Sequence, residues 1–264
     1  MSGQVWAVMM VKDEADVIAY NIAHLFASGI DGMLVADNLS TDGTRALLGK
    51  LARRAPRCFV KSDDEVGYFQ SRKMTALADA AYDLGAEWVL PLDADELLYA
   101  TEDETLMDYL QREAAEVIAV PLLNYFATAK DKPHDANPFT RERWRKRAPN
   151  PLNKVAVRWQ PGMVLEPGNH HVSRNGQWLP ESVTSHLGIG HFQNRSPAHL
   201  IRKVRNEARA YAETGLDPRI GYWWKFDHLA DAELKAWWRR DYFFSNPAAQ
   251  GLVEDPAPYR GGKQ

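Results

Sequence analysis

The sequence predicts an α/β fold with a mainly parallel central sheet and helices in its C-terminal part. Short apolar runs alternate with amphipathic stretches at the start of the chain, and glycines stand where the helices should end. Strands that alternate with helices pair in parallel, with helices on both faces of the sheet. With 264 residues, 45% of them hydrophobic, the chain is long enough for one large or two small domains with a real core.

The first seven elements are predicted in the order β-α-β-α-β-α-β. The first strand is a continuous apolar run, and the helix after it carries apolar residues at helical spacing until Gly29. The third helix likewise ends at Gly85, a typical C-terminal signal. The strands are predicted at 5–11, 32–36, 58–61 and 88–92, and the helices at 15–28, 44–55 and 69–84.

The rest of the chain is less regular. A loop with four prolines is predicted at 129–151, because proline cannot donate a backbone hydrogen bond. The strands are predicted at 117–126, 154–159, 163–166 and 186–192, and the helices at 105–116, 197–214 and 231–244.

Composition excludes several functions. A net charge of −3 and a pI near 6.2 argue against a nucleic-acid-binding protein. Cys58 is the only cysteine, which excludes a disulfide framework and a cysteine-based zinc site and fits a reducing cytoplasm. No apolar stretch approaches the about 18–20 residues that span a bilayer, and no basic leader opens the chain. We expect a cytoplasmic protein that is soluble or, at most, peripheral to the inner face of a membrane.

The segment Asp93-Ala94-Asp95-Glu96 follows directly on an apolar run. Two carboxylates one residue apart at the end of a strand can hold a hard divalent cation against a diphosphate, because Mg²⁺ and Mn²⁺ prefer oxygen ligands. Asp13, Asp37 and Asp63 also follow predicted strands, and the carboxyl ends of parallel strands share one edge of a sheet. The sequence therefore predicts a metal-assisted nucleotide-sugar site in one crevice.

Four segments, in order, resemble family 2 glycosyltransferases of the GT-A fold. The segment 37–44 resembles the family's signature between the second strand and second helix, although Ser40 or Thr41 would also serve as an ordinary helix cap there. Asn38 and Leu39 depart from the family's usual aspartate and glycine, which leaves the base of the donor open. The other matching segments are 11–14, 70–73 and 92–96.

The resemblance implies a role for each matching residue. Glu14, Asp37 and Asn38 would bind the base or ribose of a nucleotide-sugar donor, expected to be a UDP-sugar, and Arg72 or Lys73 would face its phosphates. Mn²⁺ or Mg²⁺ would be held by Asp95, with Asp93 near the ribose or the metal. His191 would complete the metal shell, and His170 is the competing choice.

An inverting reaction, which the resemblance implies, needs one general base on the acceptor hydroxyl. Glu166, Glu181, His170 and His171 are candidates, with Glu166 preferred and His170 expected near the acceptor. The acceptor would be a saccharide or a lipid-linked molecule, as in cell-surface polysaccharide synthesis. The expected regions are a nucleotide-sugar-binding half at 1–128, an acceptor-side and metal-completing region at 129–195 and a helical segment at 196–264.

Three alternatives fit the sequence less well. A phosphohydrolase with an Asp-x-Asp motif would carry that motif on its first strand. A calcium loop would need an oxygen ligand and a glycine where Leu97 and Leu98 stand. A non-catalytic sugar-binding or partner-binding module would keep the fold without turnover. The predicted helix 197–214 also carries a basic face that could meet phosphates, formed by Arg202, Arg205 and Arg209, with Lys203 beside it.

Overall fold

A computed structural model of the chain describes residues 3–67, 69–101, 104–214 and 222–262. The strands are β1 (Gln4–Val11), β2 (Gly32–Asp37), β3 (Cys58–Ser62), β4 (Ala86–Pro91), β5 (Glu96–Ala100), β6 (Val117–Val120), β7 (Leu122–Thr128), β8 (Trp144–Lys146), β9 (Lys154–Arg158), β10 (Met163–Leu165), β11 (Val172–Arg174), β12 (Gln177–Trp178), β13 (Ser182–Val183), β14 (Leu187–His191), β15 (Phe243–Phe244) and β16 (Leu252–Glu254). The helices are α1 (Ile18–Ala27), α2 (Thr44–Arg54), α3 (Gln70–Asp83), α4 (Leu106–Arg112), α5 (Pro138–Arg141), α6 (Pro197–Thr214) and α7 (Asp231–Asp241).

The central sheet has the strand order β13-β6-β9-β4-β1-β2-β3. Strands β4, β1, β2 and β3 run parallel, whereas β9 runs antiparallel to both β4 and β6. The predicted β-α-β-α-β-α-β order and the mainly parallel sheet are confirmed. The antiparallel β9 matters for the site, because it carries residues from beyond the proline-rich loop back to the end of β4.

A smaller sheet, in the order β16-β8-β7-β14-β5, packs beside the first. The predicted strand 117–126 is in fact two strands that break at Pro121, since proline has no N–H for the ladder. The predicted loop 129–151 contains α5 and β8, and the sequence interpretation missed β5 altogether. The predicted helix 231–244 ends at Asp241, and the next residues form β15 instead.

The two faces of the central sheet bury separate cores. Side chains alternate along a strand, so Ala7 and Met9 of β1 pack on the side of α1, while Trp6 and Val8 pack on the side of α3. A third core, which includes Leu200, joins α6 to α7. Within the described ranges, no helix is long and apolar enough to cross a membrane.

One buried histidine should make folding stability depend on pH. His24 is fully buried; its Nε2 lies 2.7 Å from the carbonyl oxygen of Leu98, and its Nδ1 accepts from the backbone N–H of Arg260 at 3.0 Å. A carbonyl only accepts, so the ring is neutral with its hydrogen on Nε2. Burial lowers the pKa of His24 to about 4, below the ordinary value of about 6.5.

We therefore expect the free energy of unfolding to fall as the pH drops from about 6.5 to about 4, by about 3 kcal/mol from this residue alone. Stability falls as the pH drops because the His24 side chain binds a proton more readily in the unfolded chain than in the folded one. Urea unfolding at pH 7 and pH 4.5 would measure the loss, and His24→Asn, which does not titrate, should show a smaller one. Equal losses in both proteins would contradict this assignment.

Candidate functional site

A cavity of about 210 Å³ opens at the carboxyl ends of β1 and β4, facing one side of α6. Among the sequence-predicted site residues, the cavity is lined by Glu14, Asn38, Asp93, Asp95 and His191. These residues come from four separate stretches of the chain. The expected crevice at the strand ends therefore exists, and it gathers half of the predicted site residues.

The loops after β1 and β2 form one wall and hold each other in place. Asp13 and Leu39 both have a φ of 56°, in the left-handed region that few non-glycine residues adopt. The Asp13 carboxylate accepts from the backbone N–H of Thr41 at 2.6 Å, and the Asp13 N–H donates to the Ser40 hydroxyl at 2.9 Å. These bonds fix the turn that presents Glu14 and Asn38 to the cavity.

The start of α2 corrects a sequence expectation. Ser40 and Thr41 bind Asp13 and do not cap the helix; the cap position is Gly43, with a φ of 104°. Asp42 accepts from the backbone N–H groups of Thr44 at 3.0 Å and of Ala15 at 3.1 Å. The carboxylate of Asp42 therefore links the helix start to the first loop.

Asp95 lies at the floor of the cavity and is only 3% exposed. Its Oδ2 atom is buried and has no hydrogen-bond partner in the described part of the chain. The Nη1 of Arg195 and the Nζ of Lys203 each lie 3.6 Å from this oxygen. Burial opposes the charged form of Asp95, but these cations hold its pKa well below the usual range. Asp95 is therefore an ionised carboxylate with a free acceptor atom.

Strand register explains why His191 stands beside Asp95. β14 pairs with β5 so that His191 lies opposite Glu96, and with β7 so that it lies opposite Asn124. The Nδ1 of His191 is 3.0 Å from the amide oxygen of Asn124, which can only accept, so Nε2 carries the lone pair. Burial lowers the pKa of His191 to about 4, and its Nε2 lies 3.9 Å from Asp95 Oδ1.

These residues fit a divalent ion. No three His, Cys, Asp or Glu side chains already stand together as a metal centre in the ranges that the structure covers. However, Asp95 offers a buried, unpartnered oxygen, and His191 is neutral with the Nε2 that carries its lone pair 3.9 Å from the same carboxylate. Asp93 adds a second carboxylate to the cavity lining. Oxygen donors with one imidazole suit Mn²⁺ and Mg²⁺.

Lys154 contacts the candidate site, and the sequence did not reveal it. It is buried, and its Nζ lies 2.8 Å from Asp93 Oδ2 and 2.8 Å from Glu96 Oε1. Burial disfavours its charge, but the two carboxylates raise the pKa of Lys154 above its ordinary value. The antiparallel pairing of β9 with β4 brings it there. The sequence offers one signal, a lysine directly before the three apolar residues of a strand.

Arg195 is a second missed residue, and it connects the two ends of the site. Its side chain is completely buried and contacts Glu14 of the first loop. It also binds Asp16 at 2.9 Å and the carbonyl oxygen of Phe192 at 2.9 Å. Glu14 is thus ion-paired at the cavity wall, and the chain before α6 is tied to the loop after β1.

Three predicted nucleotide-binding residues lie off the cavity. Side chains alternate along β2, so Asn38 faces the cavity while Asp37 is buried and accepts from the Nε of Arg45 at 2.7 Å. Arg72 is ion-paired with Glu65, and Lys73 lies 2.7 Å from Asp63. Their roles in nucleotide binding stay predictions.

The predicted catalytic residues also lie outside the cavity lining. His170 Nδ1 is 2.6 Å from the carbonyl oxygen of Asn153, the residue before Lys154, which places His170 near the floor of the site. The backbone of Glu166 bonds to His171, whose ring pairs with Glu181 at 2.7 Å. Which of these residues acts as the general base stays a prediction.

Residues 6–164, more than half of the chain, match the sequence model of a protein family described as glycosyl transferase family 2. A search of curated protein sequences finds no match. Among solved structures, S. aureus TarS with UDP is 14% identical (82% of this chain, 68% of that chain, TM-score 0.42). The mannosyltransferase PcManGT from Pyrobaculum calidifontis with GDP-Man and Mn²⁺ is 15% identical (95% and 78%, TM-score 0.47). GalNAc-T7 with UDP, GalNAc and Mn²⁺ is 12% identical (90% and 54%, TM-score 0.42).

Proposed function

Because the chain belongs to glycosyl transferase family 2 and is a glycosyltransferase, we propose that its cavity binds a nucleotide-diphosphate sugar together with Mn²⁺ or Mg²⁺. The sugar would pass to an acceptor hydroxyl with inversion, and a UDP-sugar is the expected donor. The observation that carries the proposal is the ionised Asp95, whose unpartnered oxygen lies in the cavity beside a neutral His191.

Asp95, Asp93 and His191 would hold the ion. When bound, the ion would neutralise charge that develops on the departing diphosphate. Lys154 holds the Asp93 carboxylate in place, and Asn124 keeps the lone pair of His191 on Nε2. Glu14 and Asn38, which also line the cavity, would contact the nucleoside.

For the general base, we propose His170, with Glu166 as the alternative. A carbonyl oxygen accepts from His170 Nδ1, so its Nε2 bears the lone pair. Burial lowers the pKa of His170, which supports a neutral ring that can accept the hydroxyl proton. His170→Ala should therefore lower sugar transfer more than metal-dependent donor hydrolysis, and the reverse order would exclude this role.

The acceptor would be a saccharide or a lipid-linked molecule. Trp178 supports a sugar, because it is 66% exposed and stacks on His171 with ring centroids 4.0 Å apart. A flat, rigid aromatic surface of this kind suits the apolar face of a sugar ring. The partly exposed aromatic residues around Tyr222 and Trp223 would suit contact with a membrane surface.

A thermal-shift panel of UDP-, GDP- and TDP-sugars, with and without Mn²⁺, tests the proposal. A ligand that binds only the folded state raises its stability, so one donor should raise the melting temperature, and more so with Mn²⁺. Hydrolysis of that donor should then require the metal. Binding without any hydrolysis or transfer would instead favour a non-catalytic sugar-binding module.

A further inference from the structure

The side of α6 that faces the cavity is basic. Among the described lining residues, the lysines and arginines are Lys12, Arg202 and Lys203. The cations expected to meet the phosphates, Arg72 and Lys73, lie elsewhere and have their own acidic partners. A diphosphate in the cavity would therefore meet the side chains of α6.

Lys203 places a positive charge beside Asp95 in the cavity. Its Nζ lies 3.6 Å from Asp95 Oδ2 and 5.7 Å from the centre of the Trp223 ring. A separation of 3.6 Å is longer than a hydrogen bond, so the ammonium balances the charge of Asp95 without being locked to it. The flexible stem of lysine allows this group to move to a nearby anion.

Arg202 adds an unused donor. Its Nε is buried and has no hydrogen-bond partner in the part of the chain that the structure describes. Buried donors normally have a partner, because an unpaired one costs about 1–3 kcal/mol. An acceptor that enters the cavity would supply the missing bond.

The acidic residues near Arg202 and Lys203 have hydrogen-bond donors of their own. The Asp13 carboxylate accepts from Asn206 at 2.7 Å, which also anchors α6 to the loop after β1. Glu207 accepts from the backbone N–H of Trp224 at 2.8 Å. Lys12 already donates to the backbone carbonyl of Asn38 at 2.8 Å. Among the described lining residues, Lys12 is therefore a cation fixed at the cavity wall, and Arg202 and Lys203 are the cations that α6 brings to the cavity.

We propose that Arg202 and Lys203 bind the diphosphate of the donor, and that Lys203 holds the cation position beside Asp95 until donor and metal arrive. This inference rests on the proposed function, since it names the residues that recognise the donor's phosphates. Cations preplaced around a phosphate site attract the ligand and form charge-assisted hydrogen bonds with it.

Calorimetric titration of the whole chain in EDTA, with UDP and GDP as probes, tests diphosphate binding without metal. Lys203→Met removes the ammonium and keeps a side chain of similar length, and Arg202→Met removes the unpaired donor. Each should weaken binding of UDP or GDP by about tenfold or more and leave binding of uridine or guanosine unchanged. Lys235→Met is the matched control, because Lys235 is exposed on α7 outside the cavity.

Electron paramagnetic resonance of free Mn²⁺ tests whether Lys203 holds the cation position beside Asp95. Lys203→Met should bind Mn²⁺ about threefold more tightly than wild type, or better. The variant lacks the ammonium, whose positive charge repels the ion. Unchanged or weaker Mn²⁺ binding would show that Lys203 does not hold the cation position. Lys203→Gln and the melting temperatures of all variants exclude a folding defect as the cause.

The outcomes separate the two proposals. If the wild type binds UDP or GDP and both methionine variants bind them equally well, the role of α6 is overturned and the proposed function stays intact. Wild type that binds neither nucleotide, with or without Mn²⁺, would overturn the proposed function and this inference together.

Discussion

Asp95→Asn is expected to lower donor turnover by about a hundredfold or more while the protein stays folded. The substitution keeps the shape of the side chain and removes the ionised oxygen that would bind the metal. Some stability should be lost, because the charge of Asp95 balances Arg195 and Lys203, but Arg195 keeps its ion pairs with Glu14 and Asp16. Donor hydrolysis at saturating Mn²⁺ gives the turnover, and urea unfolding gives the stability.

Two further variants sharpen this result. His191→Ala should weaken Mn²⁺ binding and leave metal-free nucleotide binding unchanged, since the imidazole faces Asp95 and not the nucleoside wall. Full Mn²⁺-dependent activity in Asp95→Asn would show that the metal site lies elsewhere. If His170→Ala, and not His191→Ala, abolishes metal binding, the roles of the two histidines must be exchanged.

Arg195→Met is expected to lower the free energy of unfolding by about 3–5 kcal/mol. The guanidinium is fully buried, and its loss leaves Glu14 and Asp95 in a poorly solvated site without their shared cation. Arg195→Lys should recover only part of the stability, because one ammonium cannot bind Asp16 through two nitrogens as Arg195 does. Urea unfolding at pH 7 measures both changes.

Arg205→Met is the matched control for this prediction. Arg205 makes ion pairs with Asp227 and Asp231 at 2.8 Å, but its side chain is 33% exposed. Solvent screens such pairs, so the variant should lose no more than about 1 kcal/mol. A loss in Arg195→Met as small as that in Arg205→Met would mean that the buried network does not hold the site together.

The sequence by itself determined the order of the strands and helices in the first half of the chain. Apolar periodicity and glycine stops decide this order locally, and the family-like motifs lie in the same segments. It also placed Asp93 and Asn38 at strand ends, which parallel pairing brings to one edge. His191 was expected near Asp95 from the resemblance, and the register of β14 against β5 puts it there.

Only the tertiary structure decided which charges meet. Lys154 reaches Asp93 because β9 runs antiparallel to β4, and Arg195 reaches Glu14 across most of the length of the chain. Arg72 and Lys73 fit a phosphate-binding pattern in sequence, yet acidic residues on the preceding loop bind them. An ion pair depends on distance and burial, and neither follows from the spacing of residues along the chain. The sequence showed that the helix 197–214 is basic, but only the tertiary structure shows that Arg202 and Lys203 line the cavity while Arg205 pairs with Asp227.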